Sequence, residues 1–198
     1  MAASRTKNTI RNIGAGLTNR VISIIMPFVN RTAIIWILGA EFAGLSGLFS
    51  SILNVLNIAE LGFNSAVVYS LYELFARRDE ERICELVTLL RRVYRIVGTA
   101  VLLLGLLVLP FLPHLVKGDI PDGISIYILY LLYLLNSSLS YFLFAYKECL
   151  LIADQRQDIA SNIRTAVSVA KYVAQLAVLL ITKDFYLYLV VAIIGTAV

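Results

Sequence analysis

Three charged side chains lie within long apolar stretches of the chain. Arg31 and Lys171 each interrupt a run of mostly apolar residues, and Glu60 lies in another. A charge at the centre of a membrane-spanning helix costs about 3 kcal/mol or more, and it usually marks a paired group or a transport pathway. With Arg20, the basic residues of these stretches outnumber the acid, and the surplus favours an anionic ligand. Arginine offers a forked pair of donors that suits phosphate oxygens, whereas lysine is a compact point charge.

These charges belong to polar faces of the predicted helices. At 100° per residue, polar and small residues of the first two helices each fall within a sector of about 100°, with Glu60 about 40° beyond the second sector. A later helix aligns a third set at helical spacing. The first sector holds Gly16, Arg20, Ser23, Pro27, Asn30 and Arg31, the second Ser46, Gly47, Ser50, Asn54, Asn57, Asn64 and Ser65, and the third set is Ser161, Arg164, Ser168, Lys171 and Gln175.

Each polar face has a structural alternative to ligand binding. Small and hydroxyl residues let helices approach one another, and amides hydrogen-bond between them, which accounts for single Ser, Gly and Asn positions. A salt bridge from Glu60 to Arg31 or Arg20 is the competing account of the charges. A predicted fourth helix carries Tyr130 and Tyr133 beside serines, where they could stack on sugar rings or pack within the bundle.

The elements that position these residues follow from the composition. The chain is 60% hydrophobic and 15% charged, against about half and a quarter in an average soluble domain. Its apolar residues come in long blocks, such as the uncharged 23 residues from Ile124 to Tyr146, and blocks of this length cross a core of about 30 Å as helices. We therefore predict an all-α fold, a polytopic transmembrane bundle of about six helices in which residues 1–198 form a single domain.

The last of the six predicted spans is too short to cross the membrane. The 13 residues from Tyr186 to Val198 rise only about 20 Å where about 30 Å is needed. We expect the chain to be the amino-terminal half of a longer transporter, with its sixth helix truncated. The spans are Ile13 to Leu38, Phe42 to Tyr72, Val93 to Leu112, Ile124 to Tyr146, Ile163 to Thr182, and the segment from Tyr186 onward.

Basic residues are sorted to one side of these spans. The amino terminus, the loop from Arg77 to Arg95 and the segment from Lys147 to Arg164 hold 12 of the 17 Lys and Arg residues, while the opposite loops hold only Lys117 and Lys183. The positive-inside rule then places the amino terminus in the cytoplasm.

The sequence gives little support to other classes of function. The net charge of +4 is spread beside apolar blocks rather than gathered in an aromatic-rich patch, so no nucleic-acid partner is predicted. Cys84 and Cys149 lack metal-site spacing, and His114 stands alone. With no nucleotide-binding loop, HExxH or GxSxG, we predict neither an enzyme nor a bound cofactor or metal.

Three segments resemble Wzx-type polysaccharide flippases, within the superfamily that includes the multidrug and toxin extrusion exporters and the peptidoglycan lipid flippase. The segments are Leu38-Gly39-Ala40-Glu41-Phe42-Ala43-Gly44-Leu45, Ala59-Glu60-Leu61-Gly62-Phe63-Asn64-Ser65-Ala66, and Ala153-Asp154-Gln155-Arg156. The resemblance implies a bacterial inner-membrane protein of twelve or more helices in two bundles around a central cavity. It would move undecaprenyl-diphosphate-linked oligosaccharides between leaflets for O-antigen, capsule or exopolysaccharide synthesis, with polysaccharide polymerase and ligase proteins as candidate partners.

On this reading the polar faces line a substrate path. Cationic residues would receive the diphosphate, and amides and tyrosines would line the route of the sugars. Two alternatives stay open: a cation-coupled small-molecule exporter of the same superfamily, and a membrane scaffold without transport activity. The predicted substrate-binding residues are Arg31, Lys171, Arg20, Asn30, Asn57, Glu60, Asn64, Tyr130 and Tyr133.

Overall fold

The fold is all-α, as the sequence predicts. The computed structural model describes residues 2–57, 74, 80–116, 121, 123–143 and 157–197. Within these ranges 94% of the residues are helical and there is no strand. The helices are α1 (Ala2–Ile37), α2 (Ala40–Asn57), α3 (Glu80–Val108), α4 (Leu112–Leu115), α5 (Ile126–Leu143), α6 (Gln157–Thr182) and α7 (Phe185–Ala197), with a 3₁₀ turn at Leu109–Phe111 between α3 and α4.

Four segments of the described chain are long and apolar enough to cross a membrane. They lie in α1, in α3 with its extension through α4, in α5 and in α6, whereas α2 and α7 are apolar but shorter. The predicted second span reaches beyond Asn57 into residues outside the described ranges. The segments are Gly16–Ile37, Glu81–Leu115, Ile126–Leu143 and Ile159–Thr182.

Two tight connections reverse the chain direction. Gly39, between α1 and α2, has a φ of 113°, a backbone conformation that only glycine adopts readily. Between α6 and α7, Asp184 caps the start of α7. Its Oδ1 accepts hydrogen bonds from the backbone N–H groups of Tyr186 at 2.7 Å and Leu187 at 3.3 Å. Neighbouring helices joined in this way run antiparallel.

Contacts between α1 and α6 show that these two helices run parallel. Asn19 donates to the Thr165 hydroxyl at 3.0 Å, and further along both helices Asn30 and Gln175 line the same cavity. A pairing that advances in the same sense along both chains requires a parallel arrangement. Residues far apart in sequence are thus brought to one depth of the bundle.

The outer surface of the bundle is strongly apolar. Trp36 is 86% exposed, Ile181 82% and Phe28 70%, and many more large apolar side chains are also exposed. A water-soluble monomer rarely carries apolar patches on this scale, whereas lipid chains solvate them. Together with the four long apolar helices, this surface identifies a membrane protein.

Candidate ligand cavity

A cavity of about 590 Å³ lies between α1, α2, α5, α6 and α7. Eleven of the 17 described residues that line it are polar, although it is built from helices with apolar outer faces. Among the described residues, the polar ones that line it are Asn30, Arg31, Ser46, Ser50, Ser51, Tyr133, Asn136, Lys171, Tyr172, Gln175 and Tyr188.

Arg31 reaches the cavity from α1 by lying over a glycine of α2. A methyl group added at Gly47 would come within 3.5 Å of Arg31 Nη2 and 3.9 Å of Nη1. The absence of a side chain at position 47 lets the flat guanidinium lie close to the α2 backbone. Arg31, Ser50 and Ser51 are all exposed, so the cationic group stands at the open side of the cavity.

Lys171 of α6 packs in a similar way on a glycine, here one of α7. Its aliphatic stem packs on Gly195, where an added methyl group would lie 2.6 Å from Cγ and 2.9 Å from Cβ. Its Nζ lies 5.1 Å from the centre of the Tyr172 ring, within the range of a cation–π contact. Lys171 is near the middle of the span Ile159–Thr182, about 17 Å of helix from either end.

The cavity wall carries no acidic counterpart to these cations in the described residues. None of those that line it is Asp or Glu, and no described carboxylate forms an ion pair with Arg31 or Lys171. Tyr133 and Ser46 line the same cavity as Arg31. The charged side chains among the described lining residues are thus all cationic, and they share the wall with hydroxyl groups.

Neutral amides form the buried floor of the cavity. Asn30 is 2% exposed and Gln175 3%. Asn30 Nδ2 donates to the Met26 carbonyl at 3.1 Å, and Gln175 Nε2 donates to the Tyr188 carbonyl at 3.4 Å. The two amide oxygens, Asn30 Oδ1 and Gln175 Oε1, have no hydrogen-bond partner in the described part of the chain.

Four of the predicted substrate-binding residues meet at this cavity: Arg31, Lys171, Asn30 and Tyr133. They come from α1, α5 and α6, so the packing of three helices is needed to assemble them. Their role in substrate binding stays a prediction.

Two other predicted residues lie elsewhere. Tyr130 is fully buried, donates its hydroxyl to the Gly105 carbonyl at 3.0 Å and packs edge-to-face on Phe49 at 5.4 Å. This is the packing role that was the alternative for the tyrosines. Arg20 is exposed on α1, about 17 Å of helix from Arg31, and it does not line the cavity.

The remaining three predictions fall where the structure gives no side chain. Asn57 is the last residue of α2, and its side chain lies outside the described residues, as do Glu60 and Asn64 entirely. The proposed salt bridge from Glu60 to Arg31 or Arg20 therefore stays a prediction.

Sequence reasoning missed several residues of the cavity. Gln175 had been placed on the same polar face as Lys171, one helical turn later, but it was not among the predicted substrate-binding residues. Tyr172, Tyr188 and Asn136 were not predicted, because whether they face the cavity depends on how α7 packs against α5 and α6. Thr196 of α7 donates to Asn136 Oδ1 at 2.8 Å and fixes part of that packing.

The chain matches no protein-family model, and no curated protein and no solved structure matches it either. The geometry shows a helical membrane protein that brings two cationic side chains, unopposed by acid among the described residues, to one cavity of its bundle.

Proposed function

We propose that this protein is a flippase that moves undecaprenyl-diphosphate-linked oligosaccharide units across the bacterial inner membrane for polysaccharide synthesis, with its amino terminus in the cytoplasm. The observation that carries this proposal is the meeting of Arg31 and Lys171 at one cavity. These residues belong to helices far apart in sequence, and both lie within candidate membrane spans.

The chemistry of the cavity suits a diphosphate. A guanidinium binds two phosphate oxygens through parallel N–H groups, and an ammonium adds a second positive charge. Within the low dielectric of the membrane interior such charge-assisted bonds are stronger than in water. The volume of about 590 Å³ falls within the usual range of about 300–1,000 Å³ for small-molecule sites, which leaves room for sugar beside the diphosphate.

The alternatives fit the cavity less well. A cation-coupled exporter normally needs a buried acid, and none of the described residues that line the cavity is acidic. A scaffold would use its polar faces in helix contacts and leave no cavity between them. Transport of an anionic ligand is the function that uses the charges as they stand.

Export of the lipid-linked glycan to the cell surface tests the proposal. A strain lacking the gene would be complemented with the full-length protein as wild type, Arg31→Ala, Lys171→Ala or Arg20→Ala, each checked for equal abundance in the membrane. We expect wild type to restore export and the first two variants to fail. Arg20→Ala is the matched control, because it removes a cation from the same helix as Arg31 but away from the cavity, and it should restore export.

Two results would contradict the proposal. Normal export in both Arg31→Ala and Lys171→Ala would remove the charges from the mechanism. Normal export in the deletion strain itself, accompanied by increased sensitivity to amphiphilic drugs, would point to the small-molecule exporter.

A further inference from the structure

The helix α3 is longer than a membrane span, and its charges are confined to one end. The segment Glu81–Leu115 has 35 residues, which rise about 52 Å, whereas a hydrocarbon core is about 30 Å thick. The part from Ile96 to Leu115 contains no Asp, Glu, Lys or Arg, and its length alone is about 30 Å. The boundary of the hydrocarbon core therefore lies close to Arg95, and the residues before it extend out of the core.

Three arginines lie at this boundary within little more than one turn of α3. Arg91, Arg92 and Arg95 are all exposed. Arginine side chains near the end of a span reach the level of the lipid headgroups. No described carboxylate forms an ion pair with Arg92 or Arg95, and the preceding acid on α3, Glu85, is about 9 Å of helix away from Arg91. The boundary therefore carries a concentrated positive charge.

The same side of α3 packs against α5 just inside the boundary. Arg91, Arg95 and Gly98 share one side of the helix, because they are spaced four and then three residues apart. A methyl group added at Gly98 would lie 2.9 Å from Tyr141 Cβ and 3.3 Å from both Cε2 and Cζ of Phe142. Phe142 is nevertheless 38% exposed. An exposed aromatic ring thus lies where the two helices meet, about one helical turn deeper than Arg95.

This arrangement suits the two parts of an anionic phospholipid. Guanidinium groups bind phosphate oxygens through their forked donors, and the ring one turn deeper offers an apolar contact for an acyl chain. A free phosphate would use only the arginines. A zwitterionic phospholipid carries its own cation next to the phosphate, and three guanidinium groups would repel that cation.

We propose that Arg91, Arg92 and Arg95 of α3, together with Phe142 of α5, form a binding site for an anionic phospholipid. The lipid phosphate lies against the guanidinium groups, and an acyl chain follows the junction of α3 and α5 from Phe142 inward. None of these four residues lines the cavity. The site is therefore distinct from the one that carries the proposed function.

Native mass spectrometry of the purified full-length protein in detergent tests this site. Phosphatidylglycerol and phosphatidylcholine with the same acyl chains would be titrated separately, and the Kd of the first bound lipid measured. We expect wild type to bind phosphatidylglycerol about tenfold more tightly. Arg95→Gln should weaken that binding about fivefold, and the double variant Arg91→Gln, Arg95→Gln about tenfold or more, with no change for phosphatidylcholine.

Two further variants separate charge from apolar contact. Arg82→Gln is the matched control, because it removes the same charge from α3 but about 20 Å of helix from Arg95 and about 140° around the helix. It should leave both affinities unchanged. Phe142→Ala keeps every charge and should weaken the binding of both lipids about two- to threefold, because it removes apolar contact with an acyl chain. Thermal unfolding without added lipid checks that each variant is folded.

The outcomes decide the assignment independently of the export assay. A preference for phosphatidylglycerol that is reduced by the substitutions at Arg91 and Arg95 but kept in Arg82→Gln supports the site. Equal binding of the two lipids by wild type overturns it. A loss in Arg82→Gln as large as in Arg95→Gln also overturns it, since the attraction would then be to net charge. Displacement of the lipid by excess inorganic phosphate would show a simple anion site and would equally overturn it.

Discussion

Two glycines in this bundle receive a side chain from a neighbouring helix, with different results. Gly105 of α3 accommodates Leu134 of α5, in a sealed region where the hydroxyl of Tyr130 also bonds to the Gly105 carbonyl. Gly195 of α7 accommodates the stem of Lys171 at the wall of the cavity. A glycine that contacts a side chain of a neighbouring helix therefore supports tight apolar packing in one region and positions a charge in the other.

A substitution at Gly105, in the sealed region, should have the largest effect on stability. In Gly105→Ala the new methyl group would lie 2.9 Å from Leu134 Cδ2 and 3.1 Å from Cγ. Leu134 is only 1% exposed, so it has little space to move, and overpacking of this kind costs about 1–3 kcal/mol. Thermal unfolding in detergent should show that loss, and a smaller one in a Leu134→Ala background.

Gly44→Ala is the control for this experiment. No atom lies within 4 Å of the position where its methyl group would be, so the higher helix propensity of alanine should give a gain of about 0.5–1 kcal/mol. Equal losses in Gly105→Ala and Gly44→Ala would show that the contact with Leu134 is not the cause.

The corresponding change at the cavity should act on binding. In Gly195→Ala the methyl group would meet Lys171 at Cβ as well as Cγ. Because Cβ is fixed to the α6 backbone, Lys171 must change its rotamer or α7 must shift, and either change moves the ammonium. We expect the affinity for farnesyl diphosphate, measured by isothermal titration calorimetry on the purified protein in lipid nanodiscs, to fall about tenfold, or about 1.4 kcal/mol. An unchanged affinity would mean that Gly195 does not position Lys171.

Two tyrosines one helical turn apart on α5 sharpen the comparison. Tyr130→Phe removes a buried hydrogen bond and should lower stability by about 1 kcal/mol without changing ligand affinity. Tyr133→Phe removes a hydroxyl from a residue that lines the cavity together with Arg31 and should weaken diphosphate binding about threefold with little loss of stability. If the two variants exchange these effects, the assignment of Tyr133 to the cavity is wrong.

The smallest expected effect is a gain. Gln175→Leu deletes a buried oxygen without a partner and also a long hydrogen bond of 3.4 Å. Removing the first should outweigh losing the second, so the ligand-free protein should become more stable by about 1 kcal/mol or less. A melting temperature that falls by several degrees would indicate that the oxygen has a partner in the folded protein.

The helical class could be predicted because long apolar blocks have few alternatives in a membrane. The polar face of each helix was also readable, since it depends only on the helical period. Which of these faces meet one another could not be predicted, because the rotation of one helix against another is set by packing. Arg31 and Arg20 share a sector of α1, yet only Arg31 lies at the cavity.

The burial of Tyr130 could not be predicted for a similar reason. The helical period places Tyr130 on the same face of α5 as Tyr133, which lies three residues later. What separates them is Gly105 on α3, whose carbonyl accepts the Tyr130 hydroxyl and whose missing side chain leaves room for Leu134 beside it. Nothing local to α5 encodes that neighbour, so its burial could not be predicted from the helix alone.

The depth of Lys171 has an electrical consequence for a transport cycle. A charge that moves through the whole membrane potential gains or loses about 2.3 kcal/mol per 100 mV. Under the proposed function, the two cationic side chains offset most of the negative charge of a bound diphosphate, so the loaded cavity changes its access with little net work against the field. The empty cavity keeps its positive charge, and a potential that is negative in the cytoplasm draws it back toward that side. On the proposed function, the voltage-sensitive step is the return of the empty protein rather than the passage of the substrate.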